Sequence, residues 1–498
     1  MIRKRLFGNA ASAAIQTITS ALLLFFLYRF LLQELGAEKL GVWAVVLAGV
    51  SIGRLTDMGF AGTALKFVAA ALGEGDELRA VRLLQTAAFS IAFALGILLA
   101  VALPLIGSIL HWALPERVLG EALAVLPVAL VSLLLSMVAG VFQSGIDACH
   151  RMYLKNILLI GGNILMIVLA LILVPRHGLM GIAVAQCLQA ATMMIGSWLL
   201  VRRLLPKLPL IPSHWRYAEF REMVGYATNF QIGMVAGLLF EPLTKILLAR
   251  YGDLTLTAYF DMANQFVQKA RSVIASAQQA LVPEIASIRQ EKQDDRERLF
   301  VQAYGLSFLI VVPYFLGIAL ALPFISWIWI GHYQESFVIF GLLMSAGWLA
   351  ASISAVSYFY NLGTGELFWN TVNHVSTGLL NLSLGWLLGQ LLASVGIVLA
   401  AMLALTIPSI ALNLLVFRRL GLRWEQTIPA EHRAYFLVLV ISAGLAGIAG
   451  SHFGWFTSGV SGSMVACAGF ACVIPLALLL DPQGRKLLAR ITTRPESV

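Results

Sequence analysis

The sequence predicts an all-α polytopic membrane protein with about fourteen transmembrane helices, and its composition and apolar runs support this fold class. Apolar residues make up 59% of the 498 residues and charged residues only 12%, with a mean hydropathy of +0.86. An ordinary soluble domain carries about 25% charged residues. Apolar runs of roughly 20 residues, each long enough to cross a bilayer as a helix, recur along the whole chain. The ten-residue alternation of membrane β-barrels is missing from the sequence.

The predicted spans follow these apolar runs. The fifth and sixth spans are divided only by the short stretch Pro175-Arg176-His177-Gly178. The spans cover residues 9–31, 40–71, 83–110, 121–145, 156–175, 178–201, 223–249, 254–288, 299–329, 336–360, 367–389, 392–417, 434–452 and 458–480.

The distribution of Lys and Arg residues over the loops predicts the orientation. When the N-terminus is placed in the cytoplasm, most basic residues fall in cytoplasmic loops, and the opposite side holds only Lys39, Arg117, Arg176 and Arg250. Because cytoplasmic loops carry the excess of basic residues, both termini are predicted to be cytoplasmic. The net charge of +9 therefore reflects topology, and we expect no nucleic-acid partner.

An internal repeat at an offset of about 216 residues organises the chain. Its unit spans six helices, so both copies have the same orientation. Such copies are expected to be related by a pseudo-two-fold axis along the membrane normal, with a cavity between them, as in many alternating-access transporters. The matching positions are Arg29 and Lys245, Gly36 and Gly252, Trp43 and Tyr259, 102–106 and 321–325, Gly181 and Gly396, and 202–204 and 418–420.

The repeat predicts four parts of the chain. An N-terminal six-helix lobe covers residues 1–203, and a cytoplasmic linker rich in proline covers 204–222. A second six-helix lobe covers 223–420, and two additional helices with a cytoplasmic tail cover 421–498.

Ionisable residues within the spans are costly at membrane depth and are therefore candidates for function. Their basic excess predicts a cavity suited to an anion. The cysteines lack metal-type spacing, and no metal site or catalytic residue is predicted. The embedded basic residues are Arg29, Arg54, Lys66, Lys245, Lys269 and Arg271, and the embedded acids are Asp57, Glu241 and Asp261.

Span 8 carries a polar stripe along nearly its whole length. At about 100° per residue, the stripe occupies one helix face, with Lys269 and Arg271 on its two flanks. A lipid-facing helix could not carry it, so the stripe lines either a water-filled cavity, which we favour, or a polar seam between helices. Its members are Asp261, Asn264, Gln265, Gln268, Ser272, Ser276 and Gln279.

The other embedded charges leave alternatives open. Arg54 and Asp57, at i and i+3, form either a self-neutralising pair or a cavity cation with its proton-shuttling carboxylate. Arg29 and Lys245 either snorkel to the interface or share an inward orientation, and Glu241 lies at i−4 from Lys245. Candidate sites for a coupling ion, H⁺ or Na⁺, are Asp57, Glu241 and Asp261.

Aromatic residues cluster near the turn predicted between spans 10 and 11. Sugar rings stack on such side chains, but an interfacial belt is the commoner arrangement, and we predict a belt. The cluster comprises Trp348, Tyr358, Phe359, Tyr360, Phe368 and Trp369.

Several stretches resemble a known family. LGAEKLGVW at 35–43, continuing to LTDMGF at 55–60, resembles the opening of Wzx-type oligosaccharide translocases of the multidrug/oligosaccharidyl-lipid/polysaccharide exporter superfamily. LLARYG at 247–252 is similar to the seventh helix of that family, and GTGE at 363–366 and SVGI at 394–397 also fit.

The resemblance implies a bacterial inner-membrane flippase with a cationic cavity. Its substrate would be an undecaprenyl-pyrophosphate-linked oligosaccharide, and its partners membrane lipids and other polysaccharide assembly proteins, with no cofactor. The substrate-binding residues would be Arg29, Arg54, Lys245, Gln265, Gln268, Lys269, Arg271, Ser272 and Gln279. Alternatives are a peptidoglycan-precursor (lipid II) flippase and an ion-coupled multidrug exporter. A membrane glycan polymerase or ligase is disfavoured, because the outer loops are short.

Overall fold

The structure, a computed structural model, describes residues 2–51, 60–209, 214–223, 240–279, 281–288, 293–422, 432–457 and 459–485. Its helices, in chain order, are α1 (Ile2–Ser51), α2 (Phe60–Gly73), α3 (Glu77–Ala113), α4 (Glu116–Ala148), α5 (Met152–Leu204), α6 (Phe240–Tyr251), α7 (Leu254–Gln278), α8 (Leu281–Ser287), α9 (Gln293–Trp329), α10 (Glu335–Thr364), α11 (Phe368–Arg419), α12 (Arg433–His452) and α13 (Val460–Leu479).

Three of these helices are too long to cross a membrane once. Helices α1, α5 and α11 contain 50, 53 and 52 residues. A straight helix of that length would measure about 75–80 Å, against a hydrocarbon core of about 30 Å. Each is interrupted by one residue with non-helical dihedral angles, Gly36, Gly178 or Ala393, so each comprises two crossings.

Small residues let the two halves of α5 and α11 pack closely. A Cβ atom on Gly181 would lie only 2.4 Å from the backbone oxygen of Leu173. A Cβ atom on Gly396 would lie 2.1 Å from the backbone oxygen of Leu388. Neither position can therefore carry a side chain without moving backbone atoms. This contact explains the predicted correspondence of Gly181 with Gly396.

Among the described residues, nine helices are long and apolar enough to cross a membrane. Three of the nine contain two crossings each. Helix α2 lies in predicted span 2, which the second half of α1 already occupies, and the shorter helices α6 and α7 add spans 7 and 8, which gives fourteen crossings. The prediction of an all-α protein with about fourteen crossings is confirmed.

The helices also repeat. Helices α3 and α9 each contain 37 residues and an internal proline, Pro104 in α3 and Pro323 in α9. The kinked helix α5 follows α4, as the kinked helix α11 follows α10. The order and lengths of these helices therefore recur, as the offset of about 216 residues predicts.

The chain divides into two compact units, Met1–Ala258 and Tyr259–Val498. In the first unit, α4 packs along α5, and α2, α3 and α4 share a buried apolar cluster around Leu83, Leu84 and Phe142. In the second, α9 packs with α10, α12 and α13. Phe308 and Tyr435 lie in the apolar cluster of the second unit that joins α9 to the last two helices. The predicted lobe boundaries stay predictions.

The segment after α5 docks on α3. The Glu219 carboxylate accepts hydrogen bonds from Arg82 Nε at 3.2 Å and from Thr86 Oγ1 at 3.0 Å. The Trp215 indole Nε1 donates to Ser90 Oγ at 3.0 Å. Met223 is fully buried against the same helix cluster. The predicted linker 204–222 is thus held against the first unit where the structure describes it.

Candidate functional site

The polar stripe of predicted span 8 lies mostly on α7, and its burial changes along that helix. Asp261 is 1% exposed and Asn264 3% exposed. Gln265, Gln268 and Ser272 are half-buried, and Lys269, Ser276 and Gln279 are exposed. The N-terminal part of the stripe is therefore enclosed by protein, as in a helix seam, while the C-terminal part is accessible, as in a cavity lining.

Three contacts fix how α7 is rotated. The Tyr314 hydroxyl donates to the Ala270 carbonyl oxygen at 2.8 Å. The Gln278 amide donates to Ser307 Oγ at 3.2 Å and to the Ser352 carbonyl oxygen at 2.8 Å. Because these partners lie on α9 and α10, one face of α7 is anchored within the second unit. The face that carries Lys269 and Ser276 is left accessible.

The two flanking cations of α7 occupy different environments. Lys269 is exposed. Arg271, two residues later and therefore about 160° away around the helix, is half-buried. Its guanidinium carbon lies 4.0 Å from the centroid of the Trp348 ring, which places the cation over the indole face. Gln268 Oε1 lies 3.5 Å from Arg271 Nη1, at the outer limit of a hydrogen bond.

Trp348 is the member of this site that sequence reasoning missed. The sequence predicts an interfacial belt for it, but it lies near the middle of α10 and is 8% exposed. In the sequence it is separated from Arg271 by α8, the whole of α9 and about half of α10. No local sequence signal joins the two residues.

The embedded cation Lys245 forms a structural ion pair with Glu241. Lys245 Nζ lies 2.6 Å from Glu241 Oε1, at i and i+4 on α6. The Lys245 side chain is buried, whereas that of Glu241 is 37% exposed. The pair therefore neutralises itself.

The remaining predicted site residues are Arg29, Arg54 and Asp57. Arg29 is exposed on α1, whereas its repeat counterpart Lys245 is buried, and the two alternatives for their orientation stay predictions. Arg54 and Asp57 lie outside the described residues. Within the described ranges, His, Cys, Asp and Glu form no group of three or more that could hold a metal ion.

A cavity of about 270 Å³ lies within the second unit between α7, α8, α9 and α10. Its lining is mainly apolar, with Gln278, Ser307 and Glu284 as its polar members and no basic residue. It can accept hydrocarbon but offers nothing to a phosphate. The candidate anion site is therefore the accessible face of α7 with Lys269, together with Arg271 at its edge.

This architecture is similar to that of a solved multidrug transporter and of a solved lipid II flippase. An inward-facing multidrug resistance MATE family transporter is similar with a TM-score of 0.68 and 15% identity, covering 82% of this chain and 98% of its own. The lipid II flippase MurJ, in an inward closed conformation, has a TM-score of 0.70 at 14% identity, with coverages of 94% and 99%. A mutant of the Vibrio cholerae MATE transporter VcmN has a TM-score of 0.57 at 17% identity, with coverages of 84% and 97%. At such identities these likenesses establish the fold.

The family of the protein is identified by its sequence. The profile of the polysaccharide biosynthesis protein family matches residues 6–289, more than half of the chain. The protein belongs to this family. No curated protein matches the chain significantly by sequence. The resemblance to polysaccharide translocases is confirmed at the level of family and fold, and the protein is a multi-pass membrane protein.

Proposed function

We propose that the protein is a flippase that moves a polyprenyl-pyrophosphate-linked oligosaccharide from the cytoplasmic to the periplasmic leaflet of the bacterial inner membrane. The observation that carries this proposal is Lys269. It places a cation on the accessible polar face of α7, in a chain of a polysaccharide biosynthesis family with an exporter fold.

The chemistry of the site fits such a substrate. A pyrophosphate bearing about two negative charges cannot cross hydrocarbon unaided, and basic groups can replace its water of hydration. Gln265, Ser272, Ser276 and Gln279 share the accessible side of α7 and offer amide and hydroxyl groups. Such groups exchange hydrogen bonds with passing sugars without holding them tightly. The polyprenyl tail stays in the lipid while access alternates between the two membrane sides.

The same proposal covers orientation and partners. The distribution of Lys and Arg over the loops supports cytoplasmic termini, and the internal repeat supports lobes over 1–203 and 223–420. Assembly proteins that deliver or consume the glycan are expected partners. Transport, rather than glycan polymerisation or ligation, is the proposed activity.

Energy coupling by H⁺ or Na⁺ is assigned to carboxylates of the chain. Asp261 is the better described candidate, because it lies in the buried part of the polar stripe. Asp57 shares the proposed role. Glu241 is engaged with Lys245 and is a weaker candidate. Transport that is unchanged when ion gradients are collapsed would remove this part of the proposal.

The test is flipping of a defined lipid-linked oligosaccharide in proteoliposomes. We expect wild-type flipping that is lost in Lys269→Glu, strongly reduced in Lys269→Gln and largely retained in Lys269→Arg. Removing the pyrophosphate from the substrate should abolish the difference between these variants. A substitution of the neighbouring exposed residue, Val273→Thr, is the matched control and should flip at the wild-type rate.

The alternative substrates are tested separately in the same proteoliposome assay. MurJ shares the fold over 94% of the chain, which makes lipid II the first competitor to examine. A lipophilic cation represents the multidrug exporters. Flipping of lipid II alone, or export of the cation alone, would replace the proposed substrate.

A further inference from the structure

Arg271 has an environment that is unusual for a half-buried arginine. Its guanidinium carbon lies 4.0 Å from the Trp348 ring centroid, and its contact with Gln268 Oε1 is long, at 3.5 Å. In the part of the chain that the structure describes, Arg271 makes no ion pair. A desolvated cation is therefore supported mainly by an aromatic face.

An aromatic face and a carboxylate support a guanidinium in different ways. A carboxylate neutralises the charge and accepts hydrogen bonds from two N–H groups at the edge of the guanidinium. An indole ring attracts the cation through its quadrupole, leaves the net charge in place and contacts only the planar face. As far as the described residues show, the N–H groups of Arg271 other than the Nη1 group near Gln268 stay available to an oxyanion, which the planar guanidinium matches well.

Trp348 is itself held in place. It lies near the middle of α10, is 8% exposed, and shares that helix with Ser352, whose carbonyl oxygen is bonded to Gln278 of α7. The indole Nε1 is buried and has no hydrogen-bond partner among the described residues. A buried N–H without a partner costs free energy, so packing of the ring against its neighbours, rather than a polar bond, fixes the indole under the guanidinium.

We propose that Trp348 is a positioning residue that holds Arg271 charged and planar for an oxyanion of the substrate's pyrophosphate. The proposal rests on the proposed function, since it assigns the second cation of α7 to the same lipid-linked substrate. Lys269 and Arg271 point to different sides of α7, so Arg271 supplies a contact that Lys269 cannot replace.

The variants separate this role from ordinary packing. Trp348→Phe keeps an aromatic face for the cation, whereas Trp348→Leu keeps an apolar side chain without one. Arg271→Lys keeps the charge without the planar fork, and Arg271→Gln removes the charge. Thermal unfolding of each purified variant in detergent identifies any that lose stability.

The first measurement is binding of inorganic pyrophosphate, followed by tryptophan fluorescence of the purified protein. We expect a saturable change in wild type that is absent in Arg271→Gln. The change should also be absent in Trp348→Phe, because the responding indole is removed. An unchanged signal in both variants would overturn the assignment. This measurement does not depend on flipping, so a negative result can be distinguished from a failure of the proposed function.

The second measurement is the KM for flipping of the lipid-linked oligosaccharide in proteoliposomes. Trp348→Leu should raise KM about tenfold with little change in kcat, and Trp348→Phe should stay within about threefold of wild type. In an Arg271→Gln background, Trp348→Leu should add no further loss. Equal KM values for Trp348→Leu and wild type, or additive losses in the double variant, would contradict the positioning role.

Discussion

Gly178 and Ala393 hold the same backbone conformation, 55° and −130° in φ and ψ for the glycine and 49° and −133° for the alanine. Each lies where a long helix folds into two crossings. A positive φ with strongly negative ψ is readily available to glycine, and an L side chain there is strained by roughly 1–3 kcal/mol. The two halves of the repeat thus use one turn geometry, relaxed at Gly178 and strained at Ala393.

Exchanging these two residue types is expected to shift stability in opposite directions. Ala393→Gly should stabilise the protein by about 1 kcal/mol, because relief of strain exceeds the entropy that glycine adds to the unfolded chain. Gly178→Ala should destabilise it by a similar amount. A Cβ at residue 178 meets only ordinary contacts, at 3.7 Å from Glu121 Oε1, so the cost is that of the backbone. Thermal unfolding in detergent measures both shifts. A less stable Ala393→Gly variant would show that the turn is unstrained.

This turn also shows what sequence could predict. The stretch Pro175-Arg176-His177-Gly178 divides two spans correctly, because proline and glycine interrupt an apolar run that is otherwise continuous. The corresponding break at Ala393 lacks glycine, and only span length and the match of Gly181 with Gly396 indicate it. The apolar runs and the internal repeat are therefore sufficient to predict the fold.

The candidate site could be predicted only in part. Counting 100° per residue finds the polar face of α7, but periodicity does not reveal what covers a face. Asp261 and Ser276 belong to one stripe, yet the first is buried and the second exposed. The partnership of Arg271 with Trp348 depends on the rotation of α7, which Tyr314 helps to fix from another helix. The local spacing of residues in the sequence does not predict such tertiary contacts.

The Glu241–Lys245 pair should respond asymmetrically to substitution. Glu241→Gln leaves the buried Lys245 ammonium without its 2.6 Å counter-charge and is expected to cost roughly 2 kcal/mol, less than for a fully buried pair. Lys245→Met should cost less, since the half-exposed Glu241 carboxylate can be hydrated. The double variant should be more stable than Glu241→Gln alone. Thermal unfolding of the three purified variants makes the comparison. Equal losses in both single variants would mean that the ion pair does not set the cost.

Docking of the linker on α3 predicts a protease-sensitive variant. Glu219→Ala removes the acceptor of two hydrogen bonds from Arg82 and Thr86, at a cost of about 1.5–3 kcal/mol. Trypsin should therefore cleave after the exposed Arg216 and Arg221 several times faster than in wild type. The control is Glu222→Ala, whose carboxylate is more exposed and lies 3.5 Å from Arg79.

Membrane vesicles of known orientation extend this experiment to topology. Cleavage in the linker should occur only when trypsin is on the cytoplasmic side. Cleavage from the other side would reverse the proposed orientation of the chain. Equal cleavage rates in wild type and Glu219→Ala would show that the linker is held by its apolar contacts instead.

His432 and Asp481 should anchor the last two helices to the second unit. Both side chains are fully buried, and His432 Nδ1 contacts Asp481 Oδ2, while Asp481 Oδ1 accepts the backbone N–H groups of Gln483 and Gly484 at 2.8 Å each. The His432 ring also stacks on Phe308 of α9. Asp481 therefore serves three polar groups, of which His432 Nδ1 and the Gly484 N–H are buried.

Removing this acceptor is expected to be costly. Asp481→Ala leaves those groups without their acceptor and should destabilise the protein by about 3 kcal/mol or more, whereas Asp481→Asn retains one acceptor oxygen and should lose about half as much. His452→Gln, at the exposed far end of α12, is the control and should leave stability unchanged. Thermal unfolding in detergent ranks the variants. If Asp481→Ala unfolds at the wild-type temperature, the packing of Phe308 and Tyr435 alone must hold α12 and α13 in place.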